Sequence, residues 1–121
     1  MKLKNILIVV TDIEKSKAFY KELFGLEVLT DFGGNVILTE GLVLQERKLW
    51  ETLVEKDIKT GGHDAELYFE ENNMDLFIEK LKCSEFEIEY LSECEENAWG
   101  KRVIRLYDPD RHVIEIAEVL D

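Results

Sequence analysis

The chain has 121 residues, 45% hydrophobic and 35% charged, which is enough to bury a core in one folded domain. A net charge of −12 argues against nucleic acid as a partner, because an acidic surface repels phosphates. The longest apolar stretches, such as Ile6 to Val10, are too short to span a bilayer, so no membrane partner is expected.

Leu3 to Val10 is a β-branched apolar run and reads as a buried strand. No small-residue cleavage site precedes it, so no signal peptide and a cytoplasmic location are expected. Thr11-Asp12-Ile13-Glu14 has the form of a capping box, predicting a helix that carries Phe19, Tyr20 and Leu23 at near-helical spacing. Gly25 or Gly33 supplies stop and turn chemistry. Three strand candidates follow, 26–32, 35–39 and 42–46, separated by Gly33-Gly34 and Glu40-Gly41.

Residues 47–62 interrupt this order, with a short helix expected over 48–54 and a loop at Lys59-Thr60-Gly61-Gly62. The order then restarts. Ala65 to Glu70 alternates as a strand, with Ala65, Leu67 and Phe69 on one face. Asn72 or Asn73 caps a second helix whose Met74, Phe77, Ile78 and Leu81 form an apolar stripe. Strands over 86–91, 102–107 and 112–118 close the chain, the last two joined by Asp108-Pro109-Asp110.

The fold class is therefore α+β, two tandem βαβββ modules over 1–46 and 63–121 joined by the segment 47–62 in a single domain over 1–121. Laying one module on the other sets Asn5 opposite Glu66, and Leu42-Val43-Leu44-Gln45 opposite His112-Val113-Ile114-Glu115. Each pairing puts a polar side chain in an apolar strand, a costly position if it is buried without a partner. Cys83 and Cys94 have no C-x-x-C pairing and read as free thiols.

The run Val10 to Tyr20, with its Asp12, Ser16 and Phe19-Tyr20, resembles the opening of the vicinal-oxygen-chelate superfamily (glyoxalase, bleomycin-resistance and extradiol dioxygenase proteins). Gly25-Leu26, Trp99-Gly100-Lys101-Arg102, Asp108-Pro109-Asp110 and Val113 to Ile116 resemble its later motifs, and Ala65 to Glu70 resembles a glyoxalase-like subgroup of uncertain biochemistry. The resemblance implies a curved, partly closed mixed sheet with a cleft, a small-molecule ligand and a homodimer. It also implies four metal positions, which in glyoxalase-type members hold His, Glu, His and Glu. Here they fall on Asn5, Gln45, Glu66 and Glu115, the residues that the internal repeat singles out.

An all-oxygen set with two carboxylates suits a hard divalent cation such as Mg²⁺ or Mn²⁺, with Ni²⁺ a further choice by resemblance. A metal-free site whose groups hydrogen-bond a ligand stands as an equal alternative. With a metal, Glu115, or else Glu66, is the candidate catalytic base of a lyase or isomerase acting on an oxygen-rich carbonyl compound. Without one, the resemblance is to bleomycin-resistance proteins, which sequester a cationic or aromatic small molecule. Tyr68, Trp50 and Trp99 are candidate ligand-binding aromatics, with core or dimer-interface packing as the competing reading. His63 reads as an exposed loop residue, and His112 as support for the turn before it.

Overall fold

The computed structural model describes residues 1–119. The chain divides into two compact units, Met1–Thr60 and Gly61–Asp121, each built on one four-stranded mixed sheet that is not closed.

In the first unit the elements are β1 (Ile6–Val10), α1 (Ile13–Phe24), β2 (Val28–Asp31), β3 (Asn35–Leu38), β4 (Leu42–Glu46) and α2 (Arg47–Val54). The strand order is β1-β4-β3-β2, with β1 parallel to β4 and the other pairs antiparallel. The cap of α1 differs from the expected one. Asp12, not Thr11, is the N-cap, and its Oδ1 accepts the Lys15 amide at 3.1 Å. Asp is at least as good an N-cap as Thr, and its charge also complements the helix dipole. Gly25 ends the helix at φ 68°, donating its amide to Lys21 O, while Leu26 donates to Tyr20 O. The buried face of α1 carries Phe19, Tyr20 and Leu23. Val10, Val36, Leu38 and Leu44 complete the core of this unit. Burying each such side chain stabilises the fold by about 1.5–3 kcal/mol before the entropic cost of ordering it.

The second unit contains β5 (Glu66–Glu71), α3 (Met74–Cys83), β6 (Glu89–Glu96), β7 (Arg102–Tyr107) and β8 (Val113–Glu118). Its order, β5-β8-β7-β6 with β5 parallel to β8, repeats that of the first unit. Asn73 caps α3 by accepting the Leu76 amide, and Met74, Phe77 and Leu81 of the predicted stripe are buried. Ile104, Leu106, Ile114 and Ile116 are the innermost residues of its sheet. At one end Glu118 accepts the Nε and Nη2 protons of Arg102, which also reaches Asp75 of α3. The hydrogen bond from Arg102 holds the Glu118 carboxyl below its ordinary range.

One strand differs clearly from expectation. β6 runs from Glu89 to Glu96 rather than over 86–91, because its pairing with β7 continues through two register shifts to the turn at 97–101. Asn97 builds that turn, its Oδ1 accepting the amides of Trp99 and Lys101. No helix among the described residues is long and apolar enough to cross a membrane.

Candidate functional site

Strand register decides which side chains meet. Tyr68 lies opposite Glu115, Glu115 opposite Arg105, and Arg105 opposite Ser92, so these four form one row across the second sheet. Residues directly opposite on neighbouring strands share a face. Tyr68 is 56% exposed and stands between Glu66 and Glu70, also exposed, on the same side of β5. Arg105 donates its Nε–H to Glu115 Oε1 at 2.9 Å. Beside this pair is a cavity of about 370 Å³ lined by His63, Asp64, Glu66, Leu91, Arg105 and Val113.

Tyr107 stiffens one wall. Its hydroxyl is 2.7 Å from His63 Nε2, and the Arg111 guanidinium lies 4.3 Å from its ring centroid. Arg111 also pairs with Glu89. His63 and Arg111 both hold left-handed backbone conformations, at φ 63° and 64°. Such a conformation costs a non-glycine residue about 1–3 kcal/mol, and here two such residues grip one tyrosine. His63 is exposed as expected, but it is also tied to Tyr107. His112 does support the turn. Its Nδ1 is 2.8 Å from Asp108 Oδ2, and its amide donates to Asp108 Oδ1.

In the first unit Gln45 is 9% exposed, and its Oε1 accepts the Asn35 Nδ2 proton at 2.8 Å. Asn5 precedes β1 and lies against Gly41, where a Cβ would sit 3.8 Å from Asn5 Oδ1. Trp50 is half-buried on α2. Trp99 is 82% exposed in the β6–β7 turn. β5 and β6 are opposite edges of their sheet, about 14 Å apart at three strand spacings, so Tyr68 and Trp99 do not share one wall.

A family model described as a glyoxalase-like domain matches residues 3–121. The chain belongs to the glyoxalase-like family. A search of curated proteins gave no match. Among solved structures, a protein of unknown function from Agrobacterium tumefaciens str. C58 is 36% identical at a TM-score of 0.84, covering 99% of this chain and 95% of that one. A glyoxalase/bleomycin resistance protein/dioxygenase family enzyme from Burkholderia phytofirmans PsJN is 20% identical at 0.80, covering 97% and 98%. The fosfomycin resistance protein FosX from Listeria monocytogenes is 20% identical at 0.72, covering 100% and 93%. The last two likenesses concern the fold.

Membership of the glyoxalase-like family makes the four metal positions the ones to test. Asn5 and Glu66 are equivalent, standing at the same distance before their helix caps, Asp12 and Asn73. The strand registers correct the other pairing. Glu115 lies opposite Tyr68, whose equivalent is Leu7, and Leu7 lies opposite Val43, not Gln45. Gln45 lies opposite Val9, so it stands about 13 Å along the strand from Asn5, against about 7 Å between Glu66 and Glu115. Two of the four donors are engaged: Arg105 Nε–H takes Glu115 Oε1, and the Asn35 amide takes Gln45 Oε1. Among the described residues no three of His, Cys, Asp and Glu are grouped to hold a metal. In the second unit the Glu115 carboxylate is paired with Arg105 rather than grouped with further carboxylates.

Arg105 is the residue that sequence reading missed. A signal for it existed: counting outward from the Asp108-Pro109-Asp110 turn pairs Tyr107 with Val113, and two residues further on Arg105 with Glu115. Asn35 was missed for a similar reason, since its role depends on lying opposite Gln45.

Proposed function

We propose that this protein binds a small cationic or aromatic molecule on the Glu115-bearing face of the second sheet, without a metal ion and without chemical conversion. The observation that carries this is the Arg105–Glu115 pair, because a guanidinium already takes one oxygen of the carboxylate and offsets its charge. Tyr68, exposed between Glu66 and Glu70, supplies an aromatic face flanked by negative charge. The net charge of −12 favours the approach of a cation. The names of two neighbours include fosfomycin resistance and bleomycin resistance, which suits binding of a small molecule. The homodimer implied by family resemblance belongs to the same proposal.

The competing reading is a metal-dependent lyase or isomerase with Glu115 as base, and it would use Oε2, since Arg105 takes Oε1. Metal analysis of protein purified without chelator, with thermal shifts in Mn²⁺, Ni²⁺, Mg²⁺ and Zn²⁺, separates the two. The expected result is no stoichiometric metal and no stabilisation by any of the four. A bound ion whose stabilisation disappears in Glu115→Gln would overturn the proposal in favour of the metal enzyme.

A further inference from the structure

The cavity beside Arg105 carries groups of both signs, and this narrows the ligand beyond a simple cation. Asp64 and Glu66 line one side, Arg105 the other, with Leu91 and Val113 contributing apolar surface. A plain cation would meet the guanidinium, and a plain anion would meet the two carboxylates. The lining thus disfavours each alone. Arg105 spends only its Nε–H on Glu115, and among the described residues neither Nη nitrogen is engaged. Two parallel Nη–H donors form the fork that a carboxylate fits end-on.

One unsatisfied group stands near this place. Ser92, opposite Arg105 on the ladder and next to Leu91 of the lining, has a buried Oγ with no hydrogen-bond partner among the described residues. Buried hydroxyls are nearly always satisfied, so an acceptor is missing here. That Oγ is shut off from solvent and Ser92 does not line the cavity, so a ligand there does not reach it as the side chains stand.

We propose that the cavity takes a small zwitterion, with Arg105 anchoring its carboxylate and Glu66 with Asp64 receiving its ammonium group. This rests on the metal-independent binding proposed above and names the ligand class for that site. β5 and β7 are two strand spacings apart, about 10 Å, with β8 between them. The charged ends of the ligand are therefore several bonds apart, and its middle lies over Val113. An aromatic or aliphatic spacer fits that middle, and His63, fixed through Nε2 by Tyr107, presents Nδ1 as one further polar contact.

Three probes that share a ring separate the terms: 4-(aminomethyl)benzoate carries both charges, benzylamine only the cation, and benzoate only the anion. Calorimetric titration of the full chain is expected to show the zwitterion binding at least about tenfold more tightly than either singly charged probe. In Arg105→Gln the zwitterion should fall to the affinity of benzylamine. Arg105→Lys keeps a cation beside Glu115 and so guards against a folding defect. It should recover only part of the loss, because an ammonium lacks the fork. If benzylamine binds wild type as tightly as the zwitterion, the Arg105 anchor is wrong while cation binding stands. If none of the three binds, the zwitterion assignment fails, and the metal series then decides the broader proposal independently.

Discussion

Arg105 and Glu115 face each other across β7 and β8, joined by a 2.9 Å hydrogen bond with the Glu115 side chain 16% exposed. Charge pairs of this partly solvated kind contribute about 0.2–1 kcal/mol. Glu115→Gln and Arg105→Gln are each expected to lower stability by about 1 kcal/mol, and the double variant by little more than either single one. Urea unfolding of the full cycle measures the coupling, and strictly additive losses would mean that the two side chains act independently.

The same geometry bears on pH through a different residue. Burial alone would lower the His112 pKa, but the Asp108 hydrogen bond and the charges of Asp108 and Asp110 outweigh it and raise it above 6.5. A raised value in the folded state stabilises the protein fully below pH 6.5. That contribution is lost as pH rises through the raised value. The melting temperature should therefore fall as pH rises above 6.5 in wild type, and fall less in His112→Gln.

Two glycines separate conformational strain from collision. Gly25 adopts φ 68° with open space around a Cβ, so Gly25→Ala should cost only the left-handed penalty of about 1–2 kcal/mol. Gly41 adopts φ 81°, and a Cβ there would lie 2.9 Å from the Lys4 carbonyl oxygen, a backbone atom that cannot swing aside. Gly41→Ala should be the more damaging by chemical denaturation. Equal losses would show that the entry to β1 yields easily.

Leu49 and Leu53, four residues apart on α2, are 57% and 73% exposed, and Phe32 in the same unit is 70% exposed. These are the residues to change in testing the proposed homodimer. Light scattering should give twice the chain mass for wild type, with Leu53→Glu shifting the population toward monomer. Wild-type mass equal to that of one chain would remove the dimer from the proposal.

Where turns bound an element, the sequence located it well. β4 and β7 occupy the expected residues, one following Gly41 and the other ending before Asp108-Pro109. β6 carries Glu89, Glu93, Glu95 and Glu96 with no apolar alternation, and only its ladder to β7 makes it a strand. The site divides along the same line. Glu115 and Tyr68 stood out by residue type, whereas Arg105 and Asn35 acquire their roles from what lies opposite them. The two-residue slip between Gln45 and Glu115 arose because similar patterns along two strands do not fix the register of either.

β5 has a further consequence as the outer strand of its sheet. β5 ends the ladder of its own four-stranded sheet, and charged side chains are one way proteins keep edge strands from sticking together. Glu66 and Glu70 supply that repulsion here. The carboxylates offered to a ligand thus also guard against aggregation, so neutralising them to study binding should lower the concentration at which the protein stays dispersed.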